Sequence, residues 1–376
     1  MRVALVMAGP YPALRGSQVL VRHLAHGLEA RGHAVHVVTF GRRLVTRPEP
    51  CLARVALDVA LVVRLWRAVR RHRIDVVHAH NYEGAIAGLI VARLTGRPLV
   101  YHGHSALAQE LPLYATRPRT RRVLGRLGAL LDAGIPRRAD FCIAVTDELG
   151  ATLRAAGVTA EGLACIAPTG IPDEVGRAPA APAGGAPLVC YAGNLDGYQN
   201  LDFLLGTFAR VRAAMPGARL VLVTHGDAHR RAARLEAAGL GIGVEIVRAQ
   251  SYDEVRRLLD AAAVAVCPRT ERSGFPMKLL NYMAAGKAIV ASAGSAKGLT
   301  DGRTGRVVPD GDQAAFAAVV VELLRDGAER ARLGRAARET VESPDAWEDV
   351  LDHIESIYRR VLTRAEPALV PVAVPE

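Results

Sequence analysis

Lysine is scarce in this sequence of 376 residues, although basic residues are not. Lysine and arginine together number 48 against 37 acidic residues, a formal net charge of +11, yet only Lys278, Lys287 and Lys297 are lysines. The basic residues are spread along the chain, and neither a nucleic-acid-binding motif nor a set of stacking aromatic residues accompanies them. The positive charge therefore does not indicate a nucleic-acid partner.

Long apolar runs and paired cysteines are also missing. No stretch of about 18 uncharged apolar residues occurs, which argues against a membrane-spanning helix. Residues 1–10 lack a small-residue cleavage site, and we interpret them as a buried first strand rather than a signal peptide. The five cysteines stand singly, without metal-ligand spacing. They predict a reduced, cytoplasmic protein with structural thiols and no metal site.

A dinucleotide-binding fingerprint is absent as well. Neither half of the chain has Gly-x-Gly-x-x-Gly at its first predicted strand, and an acidic residue that could hold a ribose is missing at the second strand end. These absences argue against a Rossmann dehydrogenase.

The sequence alternates apolar runs with amphipathic segments in two separate rounds, residues 1–172 and 188–345. Strands are predicted at Val3–Met7, Ala34–Phe40, Asp75–His78, Leu99–His102, Phe141–Val145, Leu188–Tyr191, Arg219–Thr224, Val244–Val247, Val264–Val266 and Ala288–Ala291. Helices are predicted over 18–30, 61–73, 84–94, 147–156, 201–214, 228–238, 253–262 and 278–285. Residues 173–187 are rich in proline, glycine and alanine and predict a linker, and residues 346–376 predict a final helix and a flexible tail. The pattern predicts an α/β protein with two Rossmann-like, doubly wound domains facing a cleft, followed by helices.

Three loops that follow predicted strands carry residues suited to a ligand. Arg15-Gly-Ser17 opens a helix, where small residues expose backbone N–H groups to a phosphate or a sugar. In Tyr101-His-Gly-His-Ser105 a histidine can bond a sugar hydroxyl, although a packed, internally bonded histidine is the alternative. Residues 268–286 place Lys278 near a helix start, where an ammonium and backbone N–H groups would stabilise a diphosphate. A structural turn with a solvated lysine is the alternative there.

In their order along the chain, these motifs resemble one known family. The matching segments are Gly16-Ser17, Leu24–Leu28, Arg31–Val35, Asp75–His80, the strand to His104, Gly170-Ile171, Gly193–Leu195, Gly274–Pro276, Met283–Gly286 and Asp301–Gly305. The sequence is similar to the retaining GT-B glycosyltransferases of family 4 over nearly its whole length. The resemblance implies sugar transfer from a nucleotide diphosphate sugar to an acceptor hydroxyl, with retention, without a metal ion and without a cofactor. It also implies that residues 1–172 receive the acceptor and residues 188–345 bind the nucleotide sugar.

The resemblance also assigns roles to individual residues. His104 would lie near the transferred sugar, and we expect it to act with Lys278 as the catalytic pair. Gly16 and Ser17 would lie close to the phosphates and sugar of the donor, and the nucleotide base would lie near Val247–Ala249, which include Arg248. The complete donor-binding set is expected to be Gly16, Ser17, Asn194, Gln199, Arg248, Ser273, Gly274, Phe275, Pro276, Met277, Leu279 and Asn281.

Four positions depart from the family pattern, each by the loss of a charge. Ser273 and Asn281 stand where the family usually carries two glutamates, and Asn194 and Gln199 stand where it carries an arginine and a lysine. Neutral side chains still form hydrogen bonds here, but weaker ones than charged groups form. Lys278 is therefore expected to supply the positive charge at the diphosphate.

Two questions stay open at the level of sequence. The first is turnover, because a degenerate family member that binds a nucleotide sugar or a partner without reaction is the alternative to an enzyme. The second is the acceptor, which could be a small molecule, a glycan or a lipid. Residues 117–131 are basic at one end and apolar at the other, so peripheral contact at the inner face of the membrane is the alternative to ordinary core packing.

Overall fold

A computed structural model describes most of the chain. The described residues are 1–11, 16–41, 52–115, 117–169, 187–195, 197–224, 243–270, 272, 274–342 and 344–365. The predicted helix over 228–238, the predicted linker up to residue 186 and the predicted tail from residue 366 lie outside these ranges. Close contacts group the chain into two compact units.

The first unit is built on a parallel sheet of six strands. It comprises the described residues between Met1 and Pro12, between Val21 and Ile166, and from Asp349 onward. Its strands are β1 (Arg2–Met7), β2 (Ala34–Val38), β3 (Val76–His80), β4 (Leu99–Gly103), β5 (Phe141–Ala144) and β6 (Leu163–Cys165). Its helices are α1 (Gly16–Ala30), α2 (Leu52–His72), α3 (Asn81–Thr95), α4 (Leu107–Glu110), α5 (Pro118–Gly134) and α6 (Asp147–Ala155). The strand order is β2-β1-β3-β4-β5-β6.

The second unit repeats this arrangement with a second parallel sheet. It comprises the described residues between Ala13 and Leu20 and between Ala167 and Glu348. Its strands are β7 (Leu188–Ala192), β8 (Arg219–Thr224), β9 (Val244–Arg248), β10 (Val264–Cys267), β11 (Ala288–Ser292) and β12 (Arg306–Val308). Its helices are α7 (Leu201–Ala214), α8 (Tyr252–Ala261), α9 (Lys278–Ala284), α10 (Gln313–Arg325) and α11 (Gly327–Val341). The strand order is β12-β11-β10-β7-β8-β9.

The cores lie on both faces of each sheet, as the apolar strands require. Val3 to Met7 of β1 and all of β10 are buried, because helices cover both faces of a parallel sheet and leave no polar side for alternation. In the second unit two separate apolar clusters form, one around Phe203 and Phe316 and the other around Leu279 and Tyr282. Every predicted strand is present, so the α/β, doubly wound prediction is confirmed.

The final helix, α12 (Pro344–Ala365), contributes to the first unit from Asp349 onward. Arg31 pairs with Asp352 at 2.6 Å, and His33 Nε2 lies 3.0 Å from a carboxylate oxygen of Glu355. These contacts join the end of the described chain to the region between α1 and β2. Among the described helices, α12 included, none is both long enough and apolar enough to cross a membrane.

Candidate active site

The second sheet changes direction between β7 and β10, and the loops there carry most of the expected donor site. The chain proceeds from β7 to β8 and β9 on one side of this point, and from β10 to β11 and β12 on the other. The carboxyl ends of two such neighbouring strands form a crevice, because their loops leave in opposite directions. Residues 193–199 follow β7, and residues 268–277 follow β10.

Lys278 joins these two loops through its ammonium group. Its Nζ donates to the hydroxyl of Tyr191 at 2.8 Å and to Oε1 of Gln199 at 2.6 Å. The Tyr191 hydroxyl in turn donates to the carbonyl of Asn194 at 2.7 Å. Nζ also lies 4.1 Å from the centroid of the Tyr191 ring, close enough for a cation–π interaction. The lysine is thus fixed on a tyrosine at the end of β7, rather than extended into solvent.

Glycine at position 193 leaves room for this ammonium. A Cβ at Gly193 would lie 3.0 Å from Nζ of Lys278 and 3.2 Å from the Tyr191 hydroxyl. Asn194 beside it donates through Nδ2 to the hydroxyl of Tyr198 at 2.7 Å, and Gln199 is buried. Asn194, Gln199 and Lys278 are therefore brought together at one edge of the sheet.

The segment before Lys278 is packed tightly against the second unit. Gly274 and Pro276 are buried, and Phe275, Met277 and Asn281 are half-buried. The Leu279 side chain is in the core, and its N–H already donates to the Pro276 carbonyl at 2.8 Å. The amide of Leu279 is thus engaged within the turn. Ser273 lies outside the described residues.

The remaining residues of the expected donor site lie outside the loops that follow β7 and β10. Gly16 groups with the second unit, where a Cβ on it would lie 3.0 Å from Cγ of Met277. The Ser17 hydroxyl donates to Oε1 of Gln18 at 3.1 Å. Arg248 ends β9 and is exposed.

In the first unit, His104 belongs to a cluster of four imidazoles. His78 and His80 lie on β3, and His80 stands opposite His102 of β4 in the strand register. His78 Nε2 lies 3.2 Å from His102 Nδ1, and His80 Nδ1 lies 3.1 Å from His104 Nε2. His104 is half-buried, whereas the other three are buried. The sequence analysis identified His104 but missed the cluster around it.

Burial keeps these imidazoles neutral. It lowers the pKa of His78 to about 3 and that of His104 to about 4. It lowers the pKa of His80 and of His102 well below the ordinary value of 6.5, and the neighbouring imidazoles add to both shifts. Near neutral pH, His104 therefore offers hydrogen bonds without a positive charge.

The fold is that of a GT-B glycosyltransferase. The chain is similar to sucrose-phosphate synthase from Thermosynechococcus elongatus, with a TM-score of 0.78 and 21% identity over 96% of this chain and 99% of that one. It is also similar to Anabaena HepE (Alr3699), solved in complex with UDP-glucose, with a TM-score of 0.70 and 17% identity over 95% and 100% of the two chains.

Matches to family models identify the family within this fold. Residues 14–175 match the model of the family described as Glycosyltransferase Family 4, and residues 186–326 match that described as Glycosyl transferases group 1. The chain belongs to family 4 of the glycosyltransferases and is a transferase of glycosyl groups. It is 25% identical over 384 residues to a phosphatidyl-myo-inositol mannosyltransferase of Mycobacterium leprae, covering 96% of this chain and 98% of the relative. The predicted family and enzyme class are confirmed.

Proposed function

We propose that this glycosyltransferase takes its sugar from a nucleotide diphosphate donor whose diphosphate binds at the loops after β7 and β10. The observation that carries the proposal is the position of the Lys278 ammonium, held by Tyr191 and Gln199 where the sheet changes direction. A fixed cation needs little reorganisation when negative charge develops on a leaving diphosphate. The fold shared with HepE, which was solved with UDP-glucose, supports the class of donor.

We infer that the transfer retains configuration and needs no metal ion. The bond between the anomeric carbon and the donor phosphate oxygen breaks, and the acceptor oxygen bonds that carbon on the same face. The acceptor proton passes to the phosphate oxygen that leaves. This route needs no carboxylate nucleophile, which suits Ser273 and Asn281 at the positions where the family resemblance expects glutamates. Lys278 would stabilise the charge that a divalent cation stabilises in metal-dependent transferases.

His104 would contribute a hydrogen bond to the sugar that is transferred. Because its pKa is lowered to about 4, the imidazole is neutral at physiological pH and can accept from, or donate to, a hydroxyl. His80 holds one of its ring nitrogens at 3.1 Å, so the imidazole plane is oriented from inside the unit.

Replacing Lys278 tests the donor site. For Lys278→Ala we expect kcat to fall by roughly 100-fold or more, the usual cost of removing one group that stabilises transition-state charge. Lys297→Ala, a lysine change elsewhere in the second unit, is the matched control and should leave kcat within about twofold of wild type. Adding Mg²⁺ or Mn²⁺ should raise turnover of neither wild type nor variant.

Two outcomes would contradict this proposal. A wild-type protein that binds nucleoside diphosphates and nucleotide sugars but neither transfers nor hydrolyses any sugar would support the non-catalytic alternative. Equal turnover of Lys278→Ala and Lys297→Ala would remove Lys278 from the reaction.

For the acceptor, we propose a lipid presented at the inner face of the membrane and approached by α5. The relative from Mycobacterium leprae is named for phosphatidyl-myo-inositol. On α5 the apolar side chains of Val123, Leu127 and Leu130 are 64%, 46% and 71% exposed. Their spacing places them on one helical face. Arg122 and Arg126 on the same helix are exposed as well. Apolar side chains flanked by arginines are suited to an anionic lipid surface.

Liposome co-sedimentation tests the role of α5. Wild type should bind vesicles that contain anionic phospholipid and should bind neutral vesicles less. Changing Val123, Leu127 and Leu130 together to serine should abolish most of the binding. The matched control changes Ile86, Ile90 and Leu94 to serine, because these form an exposed apolar row on α3. Loss of binding in the control alone would assign lipid contact to α3 and contradict the proposal.

A further inference from the structure

Three buried histidines of the first unit lie close together, and none of them takes part in the bond changes of the proposed transfer reaction. Alternation along β3 puts His78 and His80 on one face of the sheet, and strand register puts His102 opposite His80. One ring nitrogen of each of these three residues lies within 4.8 Å of the others. All three side chains are at most 2% exposed.

Two nitrogens in this cluster lack a hydrogen-bond partner. Nε2 of His80 and Nε2 of His102 are buried, and neither is hydrogen-bonded to any described residue. Buried polar atoms are almost always paired, because desolvation without a partner is unfavourable. An ion bound to Nε2 of His80 would remove this penalty at that nitrogen.

The Nδ1 atoms of two of these imidazoles already have hydrogen-bond partners. His78 Nδ1 lies 2.6 Å from the Tyr358 hydroxyl, and His80 Nδ1 lies 3.1 Å from His104 Nε2. Metal-binding histidines are usually held in this way, because a hydrogen bond at one ring nitrogen fixes the tautomer and directs the other nitrogen to the metal. His78 would then bind through Nε2, His80 through its unpartnered Nε2, and His102 through Nδ1, the nitrogen nearest to His78 Nε2.

We propose that His78, His80 and His102 form a site for one divalent ion of the zinc class. With a metal–nitrogen bond of about 2.0–2.1 Å, two ligands of a tetrahedral site lie about 3.3 Å apart. His78 Nε2 and His102 Nδ1 are 3.2 Å apart, close to that separation. The third nitrogen lies within 4.8 Å, so binding draws the third imidazole inward, by at most about 1.5 Å.

The donor set determines which ions fit. Three neutral imidazoles suit Zn²⁺, Co²⁺, Ni²⁺ and Cu²⁺, whereas Mg²⁺ and Ca²⁺ prefer oxygen ligands. The isolated cysteines predicted no metal site, whereas two His-x-His segments, which only the strand register brings together, supply the ligands.

An ion at this site would also orient His104. With His80 bound through Nε2, its Nδ1 proton is donated to Nε2 of His104. His104 must then carry its own proton on Nδ1. The ion takes no part in bond changes at the sugar, and His80 acts as a positioning residue.

Metal titration of the full-length protein, with any affinity tag removed, tests this proposal. Native mass spectrometry after addition of Zn²⁺ should show one ion per chain. Co²⁺ should give the visible absorption of a tetrahedral site, and Zn²⁺ should displace it. Mg²⁺ should neither bind nor compete.

Variants then separate the cluster from other histidines. His102→Asn should lower the affinity for Zn²⁺ by at least 100-fold, and Tyr358→Phe, which keeps every ligand, by about tenfold. His72→Gln is the control, because His72 stacks on His36 at 4.0 Å outside the cluster. Failure of wild type to bind Zn²⁺, or equal binding by wild type, His102→Asn and Tyr358→Phe, would overturn the proposal. Because the measurement is of binding and not of turnover, it stands or fails independently of the donor proposal.

Discussion

Gly193 shows how a single residue governs the position of the candidate catalytic lysine. A methyl group there would lie 3.0 Å from Nζ of Lys278, closer than ordinary contact, so the ammonium would have to move. For Gly193→Ala we expect KM for the nucleotide sugar to rise about tenfold, corresponding to about 1.4 kcal/mol. That loss is comparable with weakening one charge-assisted hydrogen bond. Steady-state kinetics with varied donor concentration measures it.

Gly197→Ala is the matched control in the same loop. A Cβ at Gly197 meets no atom of the described residues within 4 Å, its chain neighbours aside, so kinetics should be unchanged. If both alanine variants raised KM equally, a clash with Lys278 would not be the cause. A general stiffening of the loop would then account for the effect.

At the level of residues, the sequence predicted Lys278 but not what holds it. Lysine is rare in this chain, and the position of Lys278 at the start of a predicted helix indicated a diphosphate site. The stacking of its ammonium on Tyr191 depends on two strands being neighbours in the sheet, although 87 residues separate the partners along the chain. Local pattern carries no information on that pairing. The histidine cluster was missed for the same reason, because His80 and His102 meet only through strand register.

At the level of elements, α4 and α5 pack through a glycine and a carboxylate. Asp132 of α5 accepts from the N–H groups of Leu107 and Ala108 at 2.9 Å each, and it also accepts from the Tyr82 hydroxyl. Gly128 lies one turn earlier, where a Cβ would be 2.4 Å from the Leu107 carbonyl. The close approach of the two helices therefore requires glycine at position 128.

Two glycines of the same helix should respond to alanine in opposite ways. Gly128→Ala should destabilise the first unit by about 1–3 kcal/mol, because the added methyl forces α4 away. Gly125→Ala should be neutral or stabilising by up to about 1 kcal/mol, because alanine favours helix and its Cβ would be 3.5 Å from Pro112 Cγ. Hydrogen exchange of the α4 and α5 amides under native conditions measures both changes. Equal stabilisation by both would show that helix propensity and not packing dominates.

Among the described strands, those that the sequence pattern did not predict are the shortest. β6 and β12 each have three residues and lie at the edges of their sheets. A run of three residues is too short for a recognisable period, so pairing with a neighbour defines it. The long strands and the helices of 10–15 residues were predictable because burial imposes a period along their whole length.

At the level of the whole molecule, the alternating pattern predicted two sheets but not the destination of the last helix. From Asp349 onward α12 groups with the first unit, and its buried Val350, Ile354 and Tyr358 pack there. The carboxylates that fix it pair with Arg31 and His33, more than 300 residues earlier in the chain. Local sequence pattern does not predict these contacts, because only the fold brings α12 close to Arg31 and His33.

Because of Glu355, the stability that α12 gives to the first unit should depend on pH. Burial alone would raise the pKa of its carboxyl group, but the hydrogen bond from His33 and the positive charge of Arg31 bring it below the ordinary value of 4.5. A depressed carboxyl pKa stabilises the folded state above the unfolded pKa, and this contribution is lost as pH falls through the folded value. The titratable and charged groups around it are Arg31, His33, Asp352, Arg359 and the N-terminal ammonium, which contacts His33.

We therefore expect Glu355→Gln to destabilise the first unit by about 1 kcal/mol at pH 7. The difference from wild type should shrink below pH 4.5, where the wild-type carboxylate becomes protonated. Hydrogen exchange in β1 to β3, measured at pH 7 and near pH 4, follows this unit separately from the second. Glu342→Gln is the control, because Glu342 forms an exposed pair with Arg338 on one helix and such pairs contribute little. An effect of Glu355→Gln that stayed constant across this range would mean that shape, and not charge, holds α12 in place.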